Sequence, residues 1–133
     1  MRSDDGGKLV LRLTIGILLL LHGIAKLLGG IEPITGMVTS AGLPAAFSYL
    51  VFVGEVLAPL GLILGVFTRI SALIVVANML FAVGLAHMPE LTQLGDSGGW
   101  AIELQALFLF GALAIMLLGP GRFSLQSPRS RWN

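Results

Sequence analysis

Four apolar runs dominate the sequence, and short polar stretches separate them. The runs cover residues 9–28, 45–67, 70–88 and 100–118. Each is close to the roughly 20 residues that an α-helix needs to cross the hydrocarbon core of a bilayer. Because the connections are short, consecutive helices should be antiparallel neighbours. The pattern predicts an all-α integral membrane protein, in which residues 1–133 form one domain with a four-helix antiparallel bundle.

The composition agrees with a membrane protein. Of the 133 residues, 56% are hydrophobic and 11% are charged, whereas about a quarter of the residues are charged in a soluble domain. The first run follows Arg2 and Lys8, as a secretory signal would, but it is long, Lys26 interrupts its end and no small-residue cleavage motif follows. We therefore interpret it as a membrane span. The chain has no cysteine, which excludes thiol–disulfide chemistry and cysteine-ligated clusters.

Lysine and arginine at the ends of the runs predict the orientation, because short cytoplasmic loops carry an excess of both. One side of the membrane receives Arg2, Lys8, Arg12, Arg69, Arg122, Arg129 and Arg131. The other side receives only Lys26. This predicts a multi-pass protein of a prokaryotic plasma membrane with both termini cytoplasmic. The polar tails, residues 1–7 and 123–133, are expected to fray.

Ionisable residues within the apolar runs are the first candidates for function, because they are costly in a bilayer and normally face a partner in the interior. At 1.5 Å per residue, His22 lies about 5 Å and Lys26 about 11 Å outward of the centre of the first run. Glu103 lies about 9 Å outward of the centre of the fourth run, which is antiparallel to the first. Lys26 and Glu103 thus share a depth, and the sequence predicts that they form an ion pair.

A second carboxylate, Glu55, lies near the centre of the second run, four residues before Pro59. A proline within a helix removes the hydrogen bond to the carbonyl four residues earlier, here that of Glu55. Interrupted backbone at membrane depth is tolerated where it borders protein or a wet cavity. We therefore predict a polar pocket that opens outward, in which His22 and Lys26 face Glu55 and Glu103. The alternative is a purely structural His22–Glu55 hydrogen bond with no ligand.

Eight residues form the predicted site. The candidate catalytic residues are His22, Lys26, Glu55 and Glu103, and the candidate ligand-binding residues are Asn78, His87, Arg12 and Arg69. A structural role stays open for the Lys26–Glu103 pair, which would fix the helix arrangement, and anchoring to lipid headgroups stays open for both arginines. The two histidines, His22 and His87, fall at different depths, so no metal site is predicted.

These residues recur in the order and spacing of a known family. The shared features are Arg12, "HGIAK" at 22–26, "GEVLAPLGLILGVFTR" at 54–69, Glu103 and "GPGRFSL" at 119–125. Over about residues 9–125 the chain resembles the DoxX family of small prokaryotic membrane proteins. The resemblance implies a four-helix membrane protein whose typical polar residues are Arg12, His22, Lys26, Glu55, Arg69 and Glu103. The family often has aspartate after the closing motif, where this chain has Gln126.

The resemblance also implies a function, that of a quinone-interacting subunit of a membrane oxidoreductase system. The electron donor would then come from a membrane-associated redox partner protein, because the sequence supplies no redox group of its own. Two alternatives are a non-enzymatic assembly factor or accessory partner protein, and a small transporter or proton pathway. Membrane lipid is an expected neighbour, catalysis and a homo-oligomer stay open, and the few basic residues, all at the membrane flank, argue against nucleic-acid binding.

Overall fold

The computed structural model describes residues 3–84, 92–95, 98–127 and 133. Its helices are α1 Ser3–Gly29, α2 Glu32–Ser40, a 3₁₀ turn Ala45–Phe47, α3 Ser48–Phe52, a π-helical turn Val53–Leu57, α4 Ala58–Leu64, α5 Thr68–Ala82 and α6 Glu103–Leu118. The described residues contain no β-strand, only an isolated bridge between Leu94 and Trp100. The all-α prediction is therefore confirmed.

Two helical stretches, Asp4–Gly29 and Ala45–Leu64, are long and apolar enough to cross a membrane. The other two apolar helices are shorter, with 15 residues in α5 and 16 in α6. The third apolar run continues to residue 88, and its last four residues lie outside the described part. The first helix is longer than its apolar run, since it begins at Ser3.

The four apolar helices share one core. Helix α1 packs against α4 and α6, and α5 packs against α4 and α6. The buried side chains of this core are Ile15, Leu19, Ala58, Leu62, Ala72, Val75, Met79, Phe108, Ala112 and Ile115. The outer faces of α1 and α6 expose large apolar side chains such as Leu28, Leu107 and Leu117. An apolar core under an apolar surface is the pattern of helices that face lipid on one side.

A short helix, α2, lies where the sequence suggests a loop rich in Gly, Pro, Ser and Thr. Pro33 occupies its first turn, where a missing N–H costs nothing. Ile34 and Val38, which are four residues apart and share a face, are buried against Val51 of α3. This small second core holds α2 against the start of the second membrane stretch.

The second membrane stretch is not one continuous α-helix, because a π-helical turn, Val53–Leu57, separates α3 from α4. Pro59 has no N–H to donate to the carbonyl of Glu55, so the regular hydrogen-bond pattern cannot pass this point. A π turn is a common accommodation and is frequent at functional sites. Helix α4 then ends at Leu64, where Gly65 takes a left-handed conformation with φ 73°.

Helix α1 approaches the π turn closely at Gly23. A Cβ atom at this position would overlap the backbone carbonyl of Glu55. One heptad earlier, a Cβ at Gly16 would lie 3.1 Å from the carbonyl oxygen of Pro59 and 2.8 Å from the side chain of Ile63. Small residues at such spacing let two helix backbones meet in a membrane.

Gly23→Ala is expected to lower the free energy of unfolding by about 2–3 kcal/mol, since overpacking costs about this much and the obstructing atom is a backbone carbonyl that cannot rotate away. The matched control is Gly36→Ala in α2, where a Cβ meets nothing within 4 Å. That change should stabilise the protein by about 0.5–1 kcal/mol through helix propensity. Thermal unfolding of both variants in detergent measures the difference, and equal midpoints would contradict the prediction.

The segment after α6 binds the turn between α4 and α5. The backbone N–H groups of Leu125 and Gln126 donate to the carbonyls of Leu64 and Gly65, at 3.0 and 3.3 Å. The Asn133 side chain is buried and accepts a hydrogen bond from the Thr68 backbone at 2.9 Å. The expectation of a frayed tail fails for these described residues, because their polar groups have partners in the α4–α5 turn.

In the other predicted tail, the described residues 3–7 belong to α1. Asp5, in the first turns of α1, accepts a hydrogen bond from the backbone of Arg122 at 3.2 Å. The start of α1, the end of α6 and the α4–α5 turn therefore lie at one end of the molecule. Lys8, Arg12 and Arg69 belong to the same end.

Candidate functional site

Lys26 and Glu55 form an ion pair between α1 and the π turn. The side chain of Glu55 is 4% exposed and that of Lys26 is 39% exposed. The predicted pairing of Lys26 with Glu103 is therefore wrong. Lys26 is three residues from Gly23 and shares its face of α1, so the close contact of Gly23 with the π turn brings the ammonium to Glu55.

Glu103 lies apart from this ion pair. It is the first residue of α6, and its exposed carboxylate lies beside Gly99. A carboxylate in this position is stabilised by the helix dipole. Glu103 also borders a large apolar groove of about 720 Å³ between α1 and α6. The structure thus places it at a helix end and at a lipid-facing groove rather than with Lys26.

His22 contacts an aromatic ring instead of a carboxylate. Its imidazole meets the ring of Phe108 edge-on, with 5.7 Å between the centroids and 84° between the planes. In the part of the chain that the structure describes, the imidazole makes no hydrogen bond to Glu55. The imidazole packs across the α1–α6 contact, and the Glu55 carboxylate accepts a hydrogen bond from Lys26 instead.

His22, Lys26 and Glu55 nevertheless line one polar cavity of about 90 Å³. The full lining is Leu19, His22, Lys26, Glu55, Met79, Ala82, Leu104, Gln105 and Phe108. One water needs about 10–15 Å³ of such space, so the cavity has room for several waters or for the polar end of a larger molecule. The structure brings these three predicted residues together, and their catalytic role stays a prediction.

An apolar groove of about 270 Å³ adjoins this polar cavity. The groove is lined by Leu18, Leu21, His22, Ala25, Leu104 and Phe108. His22, Leu104 and Phe108 line the polar cavity as well. Since Leu18 and Leu21 are exposed on the outer face of α1, the groove connects the polar cavity with the surface that faces lipid.

Asn78, a candidate ligand-binding residue in the sequence analysis, does not line the polar cavity. Its neighbour Met79 does, together with Ala82. Successive residues of a helix point about 100° apart, so Asn78 faces Gly54 and a separate cavity. The remaining predicted ligand-binding residue of this region, His87, lies outside the described residues.

Arg12 and Arg69 both bind backbone carbonyls around the carboxyl end of α6. Arg12 is 1% exposed, and its guanidinium donates to the carbonyls of Pro120 at 3.1 Å and Phe123 at 2.7 Å. The exposed Arg69 donates to the carbonyl of Met116 at 3.0 Å. Cations are favourable at this end of a helix dipole. These contacts give Arg12 a structural role at this end of the molecule, and its assignment as a ligand-binding residue stays a prediction.

Six lining residues of the polar cavity escaped the sequence analysis, and two of them, Gln105 and Phe108, are instructive. Gln105 and Phe108 belong to the fourth apolar run and are three residues apart, so they share a face of α6. Gln105 was the available signal, since a polar side chain within an apolar run marks an inward-facing position. Phe108 carries no such signal, because one aromatic residue in an apolar helix resembles its neighbours.

Known proteins match the chain at the family level. The DoxX family profile matches residues 7–88. An uncharacterized membrane protein of Mycobacterium tuberculosis is 30% identical over 130 residues, an alignment that covers 91% of this chain and 80% of that protein. No solved structure matches the chain.

Proposed function

Since this chain belongs to the DoxX family and is a membrane protein, we propose that it is a quinone-interacting subunit of a membrane oxidoreductase system. The observation that carries the proposal is the Lys26–Glu55 pair, whose carboxylate is buried, in a polar cavity that shares His22 with an apolar groove. A buried ion pair is weak evidence for stability, because desolvation offsets most of its attraction. A lipid-soluble ligand with polar oxygens gives these charges a use.

The proposal includes the arrangement in the membrane. Helices α1, α4, α5 and α6 contact one another in a closed ring, α1 to α4 to α5 to α6 and back to α1, which supports an antiparallel bundle with four spans. The basic end of the molecule, with Lys8, Arg12, Arg69 and Arg122, would face the cytoplasm of a prokaryote, together with both termini. The polar cavity then belongs to the outer half of the bundle.

The polar cavity and the adjoining apolar groove together have the size that a quinone headgroup needs. A cavity of about 150 Å³ accommodates a benzene ring. The polar cavity, at about 90 Å³, is smaller than this, whereas the adjoining groove, at about 270 Å³, is larger. We therefore propose that the groove holds the ring and that the polar cavity receives one carbonyl edge.

The donors of the cavity also fit. Lys26 has three N–H donors, only part of which are used by Glu55. The imidazole of His22 both donates and accepts hydrogen bonds. A quinone, when bound, accepts two electrons and two protons. In this proposal Lys26 and His22 bind the carbonyl oxygen and hold a proton near it, Glu55 positions Lys26, and a partner protein supplies the electrons.

The test is quinone content after purification in native lipid, without detergent exchange. Extracted quinones are measured by mass spectrometry per mole of protein in the wild type and in Glu55→Gln. We expect close to one quinone in the wild type and a loss of about tenfold or more in the variant, as for a charge-assisted hydrogen-bond network that loses its anion. Glu32→Gln, a change in the exposed first turn of α2, is the matched control and should retain the quinone.

Quinone content equal to that of an unrelated membrane protein from the same cells would contradict the proposal. Equal occupancy in the wild type and in Glu55→Gln would contradict the role of the ion pair. Retention of a partner protein without any quinone would favour the assembly-factor alternative.

A further inference from the structure

The large groove of about 720 Å³ between α1 and α6 continues the groove that adjoins the polar cavity. Three residues line both grooves, Leu18 of α1 and Leu104 and Phe108 of α6. Leu104 and Phe108 line the polar cavity as well. The polar cavity, the adjoining groove and the large groove therefore form one track, which begins at the Lys26–Glu55 pair and continues between α1 and α6.

The α1 wall of this track is a single face of the helix. It begins at Ala25 in the adjoining groove, passes Leu18 and ends at Leu11 in the large groove. These residues are seven apart, a spacing that keeps them on one face. At a rise of about 1.5 Å per residue the wall is about 21 Å long, of which the part from Leu18 to Leu11 is about 10 Å.

The charges along the track favour an occupant with a neutral polar end. Glu103 is the single charged side chain among the described residues that line the large groove, and a carboxylate opposes an anionic group there. In the polar cavity the charge of Lys26 is balanced by that of Glu55. Leu107 and Phe110, in the wall that α6 contributes to the large groove, are 67% and 62% exposed, so an apolar chain can enter the groove from the side.

We propose that the track binds a quinone with a long isoprenoid chain, and that the chain follows the large groove from Leu18 to Leu11. The inference rests on the proposed function, because the quinone ring beside the polar cavity determines where the chain begins. It names the substrate class as a quinone with an isoprenoid chain, in contrast to a quinone without a chain.

The dimensions of the large groove match such a chain. An isoprene unit adds four chain bonds of about 1.5 Å each, so two extended units cover the roughly 10 Å from Leu18 to Leu11. A cavity of about 150 Å³ accommodates the six carbons of benzene. By this measure the large groove, at about 720 Å³, has room for about four units of five carbons. Length is therefore the tighter limit, and the groove holds at least two units.

Photo-crosslinking with two quinone probes tests the path of the chain in the full chain embedded in phospholipid nanodiscs. Both probes have the same ring and the same saturated isoprenoid chain. They differ only in the position of a diazirine, which is next to the ring in the near probe and two isoprene units away in the far probe. Tandem mass spectrometry locates the crosslinks. The near probe should label α1 at Leu18 and Leu21, and the far probe should label it at Leu11 and Thr14.

A third probe shows whether the ring directs the chain. It has the chain and diazirine of the far probe on a cyclohexane ring. Phospholipid chains are in large excess in the nanodisc, so a probe that the polar cavity does not recognise has to compete with them. Without the hydrogen bonds of the quinone, labelling of Leu11 should fall about tenfold or more. Equal labelling by the far probe and the cyclohexane probe would overturn the proposal.

Two tryptophan variants test the groove itself. Thr14 is exposed and lines the large groove between Leu18 and Leu11. In Thr14→Trp the ratio of far-probe to near-probe labelling should fall about tenfold, because the indole and the chain cannot fill the same space. Ala77→Trp is the matched control, since Ala77 is also exposed and lines a separate cavity that shares no residue with the track. This control should keep the wild-type ratio.

Glu55→Gln distinguishes a failure of this inference from a failure of the proposed function. The variant should reduce labelling by both quinone probes about tenfold, because the ring loses its site. Near-probe labelling that is the same in the wild type and in Glu55→Gln would contradict the proposed site and this inference with it. Near-probe labelling that depends on Glu55, together with far-probe crosslinks outside the large groove or an unchanged ratio in Thr14→Trp, would overturn this inference alone.

Discussion

Lys26→Met is expected to lower the free energy of unfolding by about 3 kcal/mol, because it leaves the buried carboxylate of Glu55 without its cation. The side chain of Glu55 is 4% exposed. The value is at the lower end of the range for breaking a buried pair, since the polar cavity gives the carboxylate access to water. Reversible unfolding by SDS in mixed micelles, followed by circular dichroism, measures the change.

The two partners of this pair should respond unequally. Glu55→Gln is expected to cost only about 1 kcal/mol, because Lys26 is part-exposed and its long side chain can carry the ammonium toward the outer interface. The double variant Lys26→Met/Glu55→Gln should regain most of the loss seen in Lys26→Met, since no buried charge remains. Equal costs for the two single variants, or a double variant as unstable as their sum, would contradict this account.

Arg12→Leu is expected to lower the free energy of unfolding by about 3 kcal/mol. The change removes two hydrogen bonds from a charged donor and leaves the carbonyls of Pro120 and Phe123 without it. Unfolding in mixed micelles gives the stability. Trypsin gives a local readout, since cleavage after the exposed Arg122 should become faster once residues 119–127 are released.

Arg69→Leu is the matched control at the same end of the molecule. Arg69 is exposed and makes one hydrogen bond within the described part of the chain, to the carbonyl of Met116, so its removal should cost about 1 kcal/mol or less. Arg12→Lys should fall between these values, because an ammonium cannot present the two-pronged donor geometry of guanidinium. Equal stability and equal trypsin sensitivity of Arg12→Leu and Arg69→Leu would contradict the assigned role.

The sequence was sufficient to predict helices, but not which helix faces meet. The apolar runs predict where the helices lie, because both burial in the protein and contact with lipid require apolar side chains. Depth follows from the rise per residue and placed Lys26 level with Glu103. It gives no direction around the bundle. The contact of Gly23 with the π turn decides between the two carboxylates.

The role of Arg12 was hidden for a different reason. Its partners are backbone carbonyls of Pro120 and Phe123. Because every residue has a backbone carbonyl, the residue type does not show which carbonyl accepts a hydrogen bond. The same holds for Leu125 and Gln126, whose backbone groups pair with the α4–α5 turn. A polar segment that pairs through its backbone has the same composition as a frayed tail.

The contact of Arg12 with Pro120 and Phe123 also sets an order of events during biosynthesis. Arg12 emerges from the ribosome early, whereas its carbonyl partners follow α6 and emerge more than 100 residues later. Until then the guanidinium lacks these two acceptors, and in the orientation proposed above its charge remains available to orient the first span by the positive-inside rule. Burial of Arg12 is therefore a closing step of assembly, which joins the first helix to the segment beyond the last one.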